Sequence, residues 1–172
     1  MVGEIIACKT IAASFLPKYE NPKNKSALFL NMNNFKITAN GKVSDYEINA
    51  LRKAVGWDFT EGSYNVSLPK AYAYFIVRAS RKLVGFVSII SDGVNDAFLI
   101  DLMVHPDYQK KNIGYNLVMS AAKLIKAKKI QCLQVTFNPG NWKFYKKCGF
   151  HIFKGGIMDF KHMKINTKKK AF

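Results

Sequence analysis

Arginine is almost missing from this chain. Among 27 basic residues in 172, only Arg52, Arg78 and Arg81 are arginines, so lysine carries nearly all of a net charge of +16. A nucleic-acid reader usually uses arginine for bidentate contacts to bases and phosphates, and no recognised nucleic-acid motif is present. The lysines are scattered rather than gathered in one stripe. They read as a solvated surface in a Lys-, Asn- and Ile-rich composition, with a general attraction for polyanions.

Other absences narrow the classes further. Acidic residues number only 11, so candidates for a catalytic carboxylate are few. The three cysteines, Cys8, Cys132 and Cys148, are far apart and odd in number. They suggest neither a disulfide framework nor a zinc site, no metal is expected, and the reducing cytoplasm is the expected compartment. No apolar run reaches the roughly 18 residues of a membrane span. The stretch from Ile5 to Leu16 is broken by Lys9 and preceded by Glu4, so it makes a poor signal peptide. A membrane is not an expected partner. Both common phosphate loops, Gly-x-x-x-x-Gly-Lys-Ser/Thr and Gly-x-Gly-x-x-Gly, are missing.

What is present suits one globular domain: 49% of the residues are hydrophobic, enough for a sizeable core. The organising stretch runs from Leu102 to Ser120. An apolar strand from Ala97 to Val104 is stopped by His105-Pro106. A short polar loop, Gln109 to Gly114, carries Lys110 and Lys111. Ile113, Leu117, Val118, Ala121, Ala122, Leu124 and Ile125 then recur at helical spacing. The unit is therefore strand, basic loop, helix N-terminus. Such a terminus presents unpaired N–H groups and a partial positive charge, which suit a phosphate.

Around it, Phe35 to Thr38 reads as a short strand and Asn40-Gly41 as a turn. Ser44-Asp45-Tyr46-Glu47 is a capping box opening a helix through Ala54, with Gly56 after its end. The runs Ala71–Ala79 and Leu83–Ile90 read as an antiparallel hairpin. Ile130 to Phe137 reads as a strand, Asn141 to Cys148 as a short helix, and Phe150–Phe153 and Ile157–Phe160 as strands or a hairpin about Gly155-Gly156. Residues 1–34 read as an extension, with Met32 as an alternative start, 35–162 as the domain, and 163–172 as a basic tail. The order β, α, (α), β, β, β, α, β, α, β contains no repeat. It implies a mixed sheet with helices on its faces, hence α/β or α+β.

Two segments in this order resemble the GNAT N-acetyltransferase superfamily. Gln109-Lys110-Lys111-Asn112-Ile113-Gly114 is similar to its pyrophosphate loop, Gln/Arg-x-x-Gly-x-Gly/Ala, with Val104-His105-Pro106-Asp107-Tyr108 as the lead-in. Asn112 replaces the first glycine, and asparagine is among the residues most tolerant of left-handed backbone. Phe144-Tyr145-Lys146-Lys147-Cys148-Gly149-Phe150 resembles the family's Phe-Tyr-x-x-x-Gly-Phe. The resemblance covers about Phe35 to Lys161. It implies a mostly antiparallel central sheet flanked by helices.

The resemblance also implies transfer of acetyl from acetyl-coenzyme A to a primary amine by direct attack. The amides of Lys110 to Tyr115, thus Lys110, Lys111, Asn112, Ile113, Gly114 and Tyr115, would hold the pyrophosphate beside Gln109. The backbone of Leu102, Met103 and Val104 would hold the pantetheine arm, and Asn138 and Asn141 would orient the cofactor. Tyr145 would protonate the departing thiolate, an uphill transfer of about 2 kcal/mol from a phenol near ~10 to a thiol near ~8.5.

An amine acceptor near pKa ~10.4 is free about once in a thousand at neutral pH, so a carboxylate or a water chain must take its proton. Asp101 is the candidate on the cofactor strand, and strand alternation puts Asp101, Met103 and His105 on one face. Asp58 and Glu61 are others. The acceptor would be a small-molecule amine, a protein N-terminus or a lysine. Nucleic acid is not expected, and a homodimer is compatible. Two alternatives stay open: a GNAT-fold coenzyme A-binding module with weak or no turnover, and a basic nucleic-acid- or ribosome-associated protein.

Overall fold

A computed structural model describes residues 35–156. The expected N-terminal extension, the start at Met32, the Ile157–Phe160 strand and the basic tail lie outside the described residues. The chain divides after Val135 into two units.

In the first unit five strands lie in sequence order: β1 (Ile37–Ala39), β2 (Ala73–Ala79), β3 (Lys82–Ser91), β4 (Asp96–Val104) and β5 (Cys132–Val135). The first four pair antiparallel, and β5 runs parallel to β4. Ser80 and Arg81 turn β2 into β3, with Ser80 at φ 52°, because a two-residue hairpin needs positive φ. A parallel partner needs a crossover, and α3 (Ile113–Ala127) supplies it between β4 and β5.

The first helix, α1 (Asp45–Ala54), begins as its sequence reads. Ser44 accepts from the Glu47 amide, and the Glu47 side chain returns to the Ser44 amide at 2.9 Å. Its end is a Schellman cap: Gly56, at φ 81°, donates to Lys53, and Trp57 donates to Arg52. The Arg52 guanidinium then lies over the Trp57 ring at 5.2 Å. A one-and-a-half-turn helix, α2 (Ser63–Ser67), comes next. Its entry is held by Asp45, which accepts from the amides of Gly62 at 2.9 Å and Tyr64 at 2.8 Å. Asn49, fully buried, ties the intervening loop down through both the N–H and the C=O of Thr60.

These helices bury Ile48, Leu51 and Tyr64 against Ile76, Leu83, Phe86 and Met103. Residues of β3 alternate between faces, so Gly85 looks the other way, toward α3. That helix buries Ile113, Leu117, Val118, Ala121 and Ile125, about 1.5–3 kcal/mol for each large side chain. Its approach is close: a β-carbon on Gly85 would stand 2.9 Å from Ile113 and 3.1 Å from Leu117.

In the second unit, α4 (Trp142–Lys147) also ends in a Schellman cap. Gly149, at φ 93°, donates to Lys146, and Phe150 donates to Tyr145. The Phe150 ring meets the Tyr145 ring edge-on at 5.7 Å, the apolar contact that accompanies such caps. The spacing Tyr-x-x-x-Gly-Phe thus has a local structural cause.

Two sequence expectations are corrected. The strand expected over Ile130–Phe137 shortens to Cys132–Val135, because the Ile130 amide closes the end of α3 on Ile125. The strand expected over Phe150–Phe153 is not formed, and residues 150–156 carry no regular structure. The Phe150 amide is used in the α4 cap, and no described strand pairs with residues 151–156.

Candidate active site

The pairing of β4 with β5 ends at Leu99↔Val135, while β4 continues to Val104. On that side, the backbone from Ile100 to Val104 has no strand partner among the described residues. Backbone groups alternate in direction along an antiparallel strand, and the His105 amide bonds to the Val84 carbonyl. Leu102 and Val104 therefore turn theirs to this open edge, able to hydrogen-bond an extended ligand, whereas those of Met103 face Phe86 of β3. Two pairs tie β5 to the start of β4: Gln134 to Asp96 at 2.7 Å and the Cys132 amide to the Asn95 carbonyl at 2.9 Å.

Beyond Val104 the chain makes a short 3-10 turn over Pro106–Tyr108. Gln109 folds back and donates to the Val104 carbonyl at 3.0 Å, fastening the loop to the end of the open edge. Asn112 caps α3 in the left-handed region, φ 60° and ψ 7°, the conformation its replacement of glycine requires. Lys110 is also left-handed at φ 59°. The Asn116 amide bonds to the Asn112 carbonyl, so the amides of Ile113 and Gly114 precede the first helical bond. Lys111 donates to the Asp107 carbonyl at 3.0 Å and lies over the Tyr108 ring at 5.0 Å. Its ammonium is thus held beside the loop, and both Lys110 and Lys111 are exposed. The arrangement offers clustered amides, a helix N-terminus and lysine charge to an anion.

Strand β4 is bulged. Met103 lies opposite Phe86 and Ile100 opposite Ser88, so Asp101 and Leu102 together face Val87. Cross-strand partners share a face. Ile100 and Met103 therefore share one, which corrects the simple alternation expected for this segment. Asp101 takes the extra step at φ 53°, in a region that costs most non-glycine residues about 1 kcal/mol or more. Its carboxylate accepts the Tyr64 hydroxyl at 2.8 Å and pairs with Arg52 Nη1 at 3.4 Å. The same Arg52 nitrogen donates to the Tyr64 oxygen at 3.1 Å, and Arg52 Nε donates to the Asp58 carbonyl at 3.0 Å. Burial first, and then the Asp101 charge, push the Tyr64 phenol far above its ordinary range, so its hydroxyl is a fixed donor. Asp58 and Glu61 are both exposed.

Tyr145 belongs to the second unit. It is buried, stacked on Phe137 at 4.5 Å and edge-on to Phe144 at 5.0 Å. Burial, then the neighbouring Cys148, push its phenol up to about 12. Proton transfer from it to a thiolate near ~8.5 is then uphill by about 5 kcal/mol, more than an ordinary tyrosine implies. A thiolate in equally dry surroundings narrows that gap. Asn138 and Asn141 are exposed at a 3-10 turn beside α4, and neither side chain caps it.

Sequence reasoning missed Arg52 and Tyr64 as partners of Asp101. The usable signal was the scarcity of arginine. Arg52 and Arg78, two of the three, make the forked contacts that lysine cannot.

Residues 45–150 match the Acetyltransferase (GNAT) family, and the chain belongs to that family. The uncharacterised N-acetyltransferase ycf52 of Pyropia yezoensis is 27% identical over 120 residues, covering 66% of this chain and 68% of its own. A GNAT-family acetyltransferase of Streptococcus pneumoniae superposes with a TM-score of 0.64 at 26% identity, over 73% of this chain and 97% of its own. The aminoglycoside N-acetyltransferase AAC(6')-Iy, solved in complex with CoA, shares the fold at a TM-score of 0.60 and 17% identity, over 75% of this chain and 95% of its own. The chain is thus a GNAT-family N-acetyltransferase with a mostly antiparallel mixed sheet flanked by helices. Among the described residues no helix is long and apolar enough to cross a membrane.

Proposed function

We propose that this chain transfers acetyl from acetyl-coenzyme A to a primary amine by direct attack of the amine. The observation that carries this reading is the meeting, at one end of β4, of an unpartnered strand edge with a left-handed Asn112 that opens α3. The residues fit the cosubstrate. The amides from Lys110 to Tyr115 suit its pyrophosphate, and the outward backbone groups of Leu102 and Val104, on either side of Met103, suit its pantetheine arm, with Asn138 and Asn141 as orienting side chains. When bound, acetyl-coenzyme A supplies an acetyl group activated as a thioester. An amide of the β4 edge acts as the donor toward the carbonyl oxygen. Tyr145, protonated across the neutral range, is the proton donor that the family motif implies. The amine's own proton leaves to solvent through a water chain or a carboxylate.

The acceptor is a small-molecule amine, a protein N-terminus or a lysine. A net charge of +16 disfavours polycationic acceptors through long-range repulsion. The test is calorimetric titration with acetyl-coenzyme A at physiological salt, followed by thiol release with an amine panel. Micromolar binding that weakens on charge reversal at Lys110 and Lys111 is expected. An absence of binding at millimolar concentration would sink the proposal.

A further inference from the structure

We propose that Asp101 is a positioning residue, whose side chain fastens the bulge of β4 to α1 and α2 and so sets the register of the open edge. The inference rests on the reading of that edge as the cofactor strand. It takes from Asp101 the role of receiving the acceptor's proton.

The bulge is the first ground. Its left-handed position, φ 53° at Asp101, is one that glycine ordinarily takes in a bulge of this kind. A side chain kept at such a place needs a compensating contact, and Asp101 has two on separate elements. Oδ2 accepts from Tyr64 of α2, and Oδ1 meets Arg52 of α1.

The anchors are themselves held. Tyr64 is 4% exposed and edge-on to Phe86 at 5.8 Å, with its amide on Asp45. Arg52 is clamped by the Asp58 carbonyl and the Trp57 ring. The Asp101 side chain thus bonds to α1 and to α2 at once. Those bonds fix where the extra residue sits.

Register is the consequence. With the bulge at Asp101, Met103 is buried on Phe86, and Val104 stands opposite Gly85, against which α3 packs. A slip of one residue would turn every later side chain to the other face. It would expose Met103 and turn the backbone groups of Leu102 and Val104 away from the edge. The Tyr64–Arg52–Asp101 cluster therefore links the loop after α1 to the strand edge. Tyr64, held as a donor, keeps the carboxylate occupied as an acceptor.

The test compares Asp101→Asn, Asp101→Val and Tyr64→Phe with the wild type by coenzyme A titration, by chemical denaturation and by the pH profile of kcat/KM with an amine acceptor. Asparagine tolerates left-handed backbone and still accepts the Tyr64 hydroxyl. Asp101→Asn is therefore expected to bind coenzyme A within about 3-fold of wild type and to turn over within about 5-fold, with the acidic limb of the pH profile kept. Asp101→Val, which resists left-handed backbone and accepts nothing, is expected to weaken binding by about 10-fold or more. Tyr64→Phe should fall between them and carries the comparison if the valine variant does not fold.

A loss of roughly 100-fold or more in kcat for Asp101→Asn, with binding intact and the acidic limb gone, would make Asp101 the base and overturn the proposal. So would wild-type binding in all three variants. Failure of the wild type itself to bind coenzyme A would overturn the functional reading and this inference with it.

Discussion

Glu47 and Arg78 form the tightest ion pair of the described residues, at 2.6 Å, and it joins the first turn of α1 to β2. Arg78 also donates to the carbonyls of Lys42 and Arg81, so one guanidinium fastens the chain before α1 and the turn after β2. Its hydrogen bond is the largest influence on Glu47, whose carboxyl is held down to about 2 despite partial burial.

That pair predicts an acid-sensitive contribution to stability. The folded pKa lies below the ordinary glutamate value, so the stabilisation is complete above about pH 4.5 and is lost as pH falls toward 2. Solvent screening reduces it to about 1 kcal/mol. Glu47→Gln should lower the denaturation free energy by that amount at pH 7. The difference from wild type should vanish near pH 2. A constant difference across the range would assign the effect to the cap alone.

Gly85 predicts a second outcome. An alanine β-carbon would stand 2.9 Å from Ile113 and 3.2 Å from Val77, so α3 or β3 must shift. Gly85→Ala should cost about 1–3 kcal/mol. Because Ile113 begins the helix whose first turn faces the loop, the same variant should also weaken coenzyme A binding. Denaturant midpoints and titration together check it, and unchanged values in both would mean that Ile113 yields freely.

Asn112 offers a contrast. Glycine adopts its backbone, φ 60° and ψ 7°, without penalty. Asn112→Gly should therefore leave coenzyme A affinity equal or tighter, with stability within about 0.5 kcal/mol. Asn112→Val should lose about 1–2 kcal/mol of stability and should bind more weakly. Equal affinities for the glycine and valine variants would show that the loop's left-handed step is irrelevant to the ligand.

Tyr145→Phe tests the proton donor. It should reduce kcat by about 100-fold and leave coenzyme A binding within about 2-fold, since the ring contacts with Phe137, Phe144 and Phe150 survive. The wild-type phenol, at about 12, stays protonated up to that pH. Activity between pH 8 and 10 should therefore show no decline from loss of its proton. Unchanged turnover in the phenylalanine variant would remove Tyr145 from the mechanism.

Features confined to a few neighbouring residues were legible in advance. Ser44 and Glu47 announced α1, Gly56 its end, and the apolar stripe of α3 its buried face. The hairpin of β2 and β3 was readable from two β-rich runs, and Asn112 was readable as a left-handed position. Each depends on backbone preference or on spacing along one element. The strand lengths at Ile130 and Phe150 were misjudged for a related reason. β-rich composition marks a run able to pair, but the amides of Ile130 and Phe150 were already bound in helix caps.

The sequence by itself determined the family, the order of elements as far as α4 and the loop that opens α3, because these rest on local spacing and on two short motifs. Only the tertiary structure decided what Asp101 touches. Its partners Arg52 and Tyr64 lie 49 and 37 residues away in the chain, and no periodicity connects them. A bulge likewise depends on what the neighbouring strand offers, so alternation along β4 alone could not reveal that Ile100 and Met103 share a face. Contacts between distant residues arise from packing, and packing is a property of the folded chain.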